Sequence, residues 1–294
     1  MNWLKKCLDS ICSKYDVIII DNNSSDSTID FLMNYERQID VIQNKENLGF
    51  GKANNLGIKR ALDKGSDGVF LLNQDAYFQK NTVKIIIDFY LKNPEYGILS
   101  PIHLDGSGAK LDRNFSYYLS YDKNPCFYGD FILNKAKSVY DVPFVNAAAW
   151  FLPKKTLQNI GGFDPIFFHY GEDDNYCQRV KFRNLKIGVI SNSFIYHDRE
   201  NRVTTDEKLS LKRHLRQMET HLKVKYADIN TVDALDQLNA IMRQKKIARL
   251  KWLLKLNFSK VLQANSEVNL IRKIFDSIER SRNQNILIGN NYLE

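Results

Sequence analysis

No stretch of this sequence approaches the roughly 20 consecutive apolar residues that a membrane-spanning helix requires. Lys5 and Lys6 near the start are followed by neither an apolar run nor a cleavage site, so no secretory leader is expected. The chain is expected to stay in the compartment where it is made. Cysteine is scarce: Cys7, Cys12, Cys126 and Cys177 show neither a paired pattern nor a zinc spacing, which reads as free thiols in a reducing cytoplasm. Internal repeats and low-complexity tracts are absent. The glycine-containing stretch Asn47-Leu48-Gly49-Phe50-Gly51 lacks the spacing of a dinucleotide fingerprint and is not a Walker loop.

What is present suits one globular domain of moderate size with an appendage: 294 residues, 44% hydrophobic and 26% charged. The net charge of +8 is unevenly placed. Residues 1–200 hold 24 Lys and Arg against 24 Asp and Glu, whereas residues 201–294 hold 18 against 10. A neutral body with a basic tail implies attraction of the tail to phosphate-rich surfaces. No nucleic-acid motif accompanies the charge, so no nucleic-acid partner is expected; the basic, Trp- and Leu-containing stretch 242–258 reads either as a helix lying on an anionic membrane surface or as one packing its apolar side on the catalytic domain.

Residues 16–20 form a β-branched apolar run ending in the polar cluster Asp21, Asn22, Asn23, Ser24, Ser25 and Asp26, the pattern of a buried parallel strand entering a loop. Further strands are expected at 40–43, 68–72, 96–100, 144–152 and 187–196. Helices are expected at 28–35, 52–63, 82–91, 154–160 and from about 173 to 184. Residues 101–143 read as loops and short strands facing an acceptor. Strands alternating with helices predict an α/β fold with a mostly parallel mixed sheet flanked by helices, and ligands bind such sheets at the strands' C-terminal ends. Residues 1–200 make up that domain. Residues 201–294 are read as a basic helical region, with helices at 206–224, 231–256 and 267–282.

Three groups of residues carry chemical meaning. Asp75 follows a buried strand through Asn73 and Gln74, placing a carboxylate at a strand tip; a hard cation such as Mg²⁺ or Mn²⁺ needs few protein carboxylates when phosphate and water complete its shell. The bland alternative is a turn or cap aspartate. Glu172, Asp173 and Asp174 stand together after the aromatic run Phe167 to Tyr170. Crowded acids raise at least one pKa, which suits a general base, while an acidic helix start is the competing reading. His197 closes another strand. Trp150 is a candidate to stack on a sugar, with core packing as its alternative.

In order, these segments resemble the family 2 glycosyltransferases of the GT-A fold, above all bacterial enzymes of surface-polysaccharide synthesis, over about residues 3–198. Asp-Asn-Asn-Ser-Ser-Asp at 21–26 is similar to the motif whose first Asp contacts the nucleotide base, and residues 47–58 to a second nucleotide-side segment. Leu-Leu-Asn-Gln-Asp at 71–75 occupies the place of the DXD metal motif, with Asn73 replacing its first Asp. Gly-Gly-Phe-Asp at 161–164 and Gly-Glu-Asp-Asp at 171–174 resemble the acceptor-site segment, and Tyr-His-Asp at 196–198 the position of a metal-binding histidine.

The resemblance implies Asp173 as base, Asp75 and His197 at a Mg²⁺ or Mn²⁺ ion, and Asp21, Asn23, Gly49, Asn55 and Asn73 on the nucleotide side. It implies Glu172 and Arg179 in positioning acceptor or diphosphate. The expected reaction is an inverting, metal-dependent transfer from a UDP- or dTDP-sugar to a hydroxyl of a glycan or lipid-linked acceptor, in the cytoplasm or peripherally on the inner face of the plasma membrane.

Family members begin with an apolar strand before a helix resembling residues 3–11, and that strand is missing here, so the true start is expected upstream. Its absence makes a non-catalytic sugar-nucleotide-binding protein or a truncated, inactive homologue the main alternative. A nucleotidyltransferase is a further one, distinguished by release of pyrophosphate.

Overall fold

The computed structural model of the protein describes residues 3–199 and 210–293. It opens with α1 (Leu4–Ser10), β1 (Ile18–Asp21), α2 (Thr28–Met33), β2 (Asp40–Gln43) and α3 (Phe50–Asp63), followed by β3 (Gly68–Leu72) and β4 (Ala76–Phe78). Next come α4 (Thr82–Lys92), β5 (Tyr96–Asp105), α5 (Arg113–Ser116), α6 (Phe127–Ile132) and β6 (Val139–Asp141). The body ends with β7 (Ala149–Pro153), α7 (Lys154–Ile160), α8 (Glu172–Phe182) and β8 (Lys186–His197). Three long helices follow: α9 (Leu211–Tyr226), α10 (Ala234–Leu254) and α11 (Phe258–Ile286).

The main sheet runs β3-β7-β5-β8-β4, with β6 also paired to β8. It is mixed: β5 and β8 pair parallel, whereas β7 inserts antiparallel between β3 and β5, and β4 and β6 run against β8. The mixture is richer in antiparallel pairs than strand–helix alternation implies: β7 supplies two of them, against β3 and β5, and β4, which follows β3 after a tight reversal, and β6 supply the others against β8. The central β5 is buried along nearly its whole length. Pro101, which has no N–H for the ladder, sits where the β5–β8 register jumps from Pro101↔Ile190 to Ile102↔Phe194, the irregularity that lets proline occupy an interior strand.

β1 and β2 pair parallel as a separate two-stranded sheet. Among the described residues β1 and β3 each have a ladder partner on one side only. α3 covers both: Gly57 lies against Ile20 of β1, and Ile58 shares the main core with Leu71 of β3.

That core gathers Trp150, Leu152, Phe163, Tyr176 and Val180 with Ile98 and Ile187, between the sheet and helices α7 and α8. A second core joins α9, α10 and α11 through Leu222, Tyr226, Leu238, Ile271, Ile274 and Ile278. The two are interlocked. Leu293 belongs to the main core, the Gly162 N–H donates to the Asn291 carbonyl at 2.8 Å, and Ser281 and Asn285 of α11 donate to the Asp164 carboxylate. Gly161 must be glycine there, with φ +82° and any Cβ falling 2.1 Å from the Asn291 carbonyl oxygen. The junction between residues 200 and 201, and the expected helical start at 206, lie outside the described residues.

Candidate active site

The chain reverses immediately after β3. The Ala76 N–H donates to the Asn73 carbonyl at 2.9 Å, and β4 then pairs with the end of β8 in the register Ala76↔His197. This reversal carries Asp75 to His197: its Oδ1 lies 3.7 Å from His197 Nε2, and both side chains are buried. The Asp198 N–H donates to the Asp75 carbonyl at 2.8 Å and locks the arrangement. The other ring nitrogen, Nδ1, faces Asp112 Oδ2 at 3.6 Å. Asp112 caps α5 by accepting from the Phe115 N–H at 2.9 Å and accepts from Arg199 Nε at 2.8 Å. His103 of β5 meets the His197 ring edge-on at 5.8 Å and stacks on Phe115; burial pushes its imidazole well below the usual range, so it is neutral.

A carboxylate and an imidazole nitrogen at this separation fit two ligands of a divalent cation whose remaining positions go to phosphate and water oxygens. Among the described residues no group of three or more His, Cys, Asp or Glu could hold an ion unaided.

The second centre is the N-terminus of α8, where Glu172, Asp173 and Asp174 fill the first turn. The helix dipole favours anions there, yet burial outweighs it. Desolvation pushes Glu172 up to about 7 and Asp174 up to about 6, the neighbouring carboxylates adding to both. Asp173 is also raised by burial, against the lowering effect of N–H groups of Asp174, Asp173 and Ala147. Tyr118, from the loop after α5, lies within electrostatic reach of Asp173, Asp174, Arg199 and Asp112.

The residues expected on the nucleotide side separate into two kinds. Asp21 is buried and accepts from the Ser24 N–H, and Asn23 is exposed with φ +68°. Asn22 clamps the neighbouring loop, accepting from the Leu48 N–H at 2.9 Å and donating to Asn47 and to the Gly49 carbonyl. Gly49, at φ +80°, leaves no room for a Cβ, which would meet the Phe168 carbonyl oxygen at 2.2 Å; the loop is thus seated on the segment leading into α8. Asn73 donates its N–H to the Ala148 carbonyl.

Asn55 departs from the expected nucleotide contact. Its side chain accepts from the Phe163 N–H at 2.7 Å and donates to the Phe163 carbonyl at 2.8 Å, tying α3 to the turn before α8.

Two further residues singled out from the sequence lie in the core, Trp150 in the packing role already open to it. Trp150 is fully buried, stacked on Phe163 at 6.0 Å, so it fills the core beneath the site and presents no face to a sugar. Arg179 is buried as well. Its guanidinium donates to the carbonyls of Ile160 and Gly162 and to Asn175, holding the Gly161–Gly162 turn within the core. Glu172 is buried at the start of α8, with Oε2 lacking a hydrogen-bond partner among the described residues.

Sequence reasoning missed Asp112, Asn22 and Tyr118. Asp112 carries one local signal, an acidic cap three positions before the N–H it accepts from.

A family model described as Glycosyl transferase family 2 matches residues 2–149, just over half of the chain. The chain belongs to this family. Among similar family 2 relatives, the low-salt glycan biosynthesis hexosyltransferase Agl10 of Haloferax volcanii is 23% identical over 190 residues, covering 63% of this chain and 59% of that protein. The dTDP-rhamnosyl transferase RfbF of Shigella flexneri is 20% identical over 181 residues, covering 62% and 59% respectively. The match thus spans less than two thirds of either relative's length.

Among solved structures, residues 1–349 of S. aureus TarS in complex with UDP-GlcNAc superpose with a TM-score of 0.52 at 15% identity, covering 94% of this chain and 88% of that one. GalNAc-T7 with UDP, GalNAc and Mn²⁺ gives a TM-score of 0.53 at 14% identity, covering 76% and 47%. At these identities the likeness is one of fold, the GT-A arrangement of a family 2 chain.

Proposed function

We propose that this family 2 chain transfers a sugar from a nucleoside-diphosphate sugar, a UDP- or dTDP-sugar, to a hydroxyl of a glycan or lipid-linked acceptor, with inversion at the anomeric carbon. One observation carries the reading: Asp75 of the β3–β4 turn faces His197 of β8 at 3.7 Å, with Asp112 and Arg199 behind the imidazole, a two-ligand site suited to a cation that a diphosphate completes.

Asp173 takes the acceptor's proton as the hydroxyl attacks. Its raised carboxyl brings it closer to neutral pH than an ordinary aspartate, which strengthens it as a base. Asp75 and His197 would hold a Mg²⁺ or Mn²⁺ ion, whose charge supplies stabilisation for the departing diphosphate. Asp112 orients His197 from behind. Asn22 and Gly49 fix the loop on which the nucleotide is read, and the fit of that loop on Phe168 sets the distance between donor and base sides. Glu172 is a positioning residue, held below Asp173 in the same turn.

The basic region 201–294 faces an anionic membrane surface on the cytoplasmic side, which suits an acceptor carried on a lipid.

The test is Asp173→Asn. Turnover of UDP- and dTDP-sugars with acceptor extracts should fall by about three orders of magnitude or more, while nucleotide affinity measured by calorimetry stays within twofold of the parent protein. Unchanged turnover refutes Asp173 as base, and a protein that binds nucleotide but never turns over favours the non-catalytic reading.

A further inference from the structure

The α10–α11 hairpin has two halves with opposite surroundings. Near the body, Ala234 and Leu238 of α10 are buried against Ile271, Ile274 and Ile278 of α11 and against α9. Beyond Met242 the large apolar side chains turn outward. Leu250, Leu253, Leu254, Leu256, Phe258 and Leu262 are exposed, Leu254 to 85%. Six large apolar side chains in water at one end of a hairpin form a patch of the kind that marks a contact surface.

The charge around the patch identifies the contact. Residues 237–266 contain no Asp or Glu and seven Lys and Arg. Two of these cations have inward partners, Lys245 on Glu267 and Arg249 on Asn265. Lys251, Lys255 and Lys260 are exposed among the leucines, and Lys255 and Lys260 lie over the Trp252 ring at 5.5 and 4.0 Å. An indole, leucines and lysines in one patch match the boundary between acyl chains and anionic headgroups. A second copy of the same patch would set like charges against one another. Among the described residues no helix is long and apolar enough to cross a membrane, so the tip dips into a surface and does not span it.

We propose that residues 247–262, the tip of the α10–α11 hairpin, form the lipid contact, with Leu254, Leu256 and Phe258 entering the interface and Lys251, Lys255 and Lys260 in the phosphate layer. This sharpens, and rests on, the reading of residues 201–294 as membrane-facing; it is independent of sugar transfer.

The experiment is flotation of the full chain with vesicles of phosphatidylglycerol and phosphatidylcholine, or of phosphatidylcholine alone, with sedimentation velocity run without lipid. Two variants are compared, K251Q/K255Q/K260Q and L254S/L256S/F258S, both at exposed positions and both checked for unchanged melting. The parent should float only with the anionic vesicles. The charge variant should lose about a hundredfold in partitioning, about fivefold per lysine, and the apolar variant tenfold or more by order of magnitude. A parent that does not float overturns the membrane reading together with the tip. A parent that floats while both variants float equally overturns the tip alone and leaves the membrane reading standing. Dimers abolished by the variants, without flotation, assign the patch to a second copy.

Discussion

Glu172→Gln should make the protein more stable, and only above acidic pH. The carboxyl is buried at the start of α8, one oxygen has no hydrogen-bond partner among the described residues, and burial pushes it from 4.5 up to about 7. A carboxyl with a raised folded-state pKa binds its proton more tightly when folded. Its contribution is fully present below the unfolded value of 4.5 and is lost as pH rises through about 7. The shift corresponds to roughly 3 kcal/mol. Because Asp173 and Asp174 share in it, about 2 kcal/mol is assigned to Glu172 alone.

Glutamine keeps the shape and removes the charge. At pH 8 the variant should therefore melt about 4 °C above the parent, at about 2 °C per kcal/mol for a chain of this size. At pH 4.5 the two melting temperatures should coincide. Scanning calorimetry across that range reads the difference directly. A gap that is constant with pH, or a variant less stable at pH 8, would refute desolvation as the dominant cause.

Asn55→Ala leaves the buried Phe163 N–H and carbonyl unpaired; about 2–4 kcal/mol of stability should be lost, as read by urea unfolding. An effect confined to nucleotide affinity would return Asn55 to the donor side. Leu293→Ala empties a place in the main core and should cost about 2–4 kcal/mol in the same assay, whereas a loss below about 1 kcal/mol would mean that the segment is not seated there.

The strands at 40–43 and 68–72 and the helix at 154–160 emerge with the bounds expected from periodicity and turn residues, because each has clear stops, the helix lying between Pro153 and the Gly161–Gly162 turn. β5 extends five residues further than expected, through Pro101. A proline reads as a strand end unless its partner carries the irregularity that accommodates it, and nothing local reveals that partner. The pairing of Asp75 with His197 follows from the family resemblance more than from their places at strand tips, and the residue behind them, Asp112, lies in the irregular stretch 101–143, where no period marks which side chain turns inward. Trp150 and Arg179 show the opposite difficulty. An aromatic and an arginine near a site have the same composition whether they meet a sugar or a core, and only burial and three carbonyl or amide partners tell them apart.

The return of residues 290–293 into the catalytic body has a consequence for how the chain is made. Synthesis must run past residue 293 before the Gly161–Gly162 turn acquires its partner at Asn291 and the main core acquires Leu293. The loops at 21–26 and 47–49 emerge early, but the turn leading to the acidic start of α8 closes only after the basic helices have been translated. Folding of the catalytic half is thus completed after its own synthesis rather than during it, and interruption within the helices would leave a chain holding every candidate catalytic residue around an unfinished core.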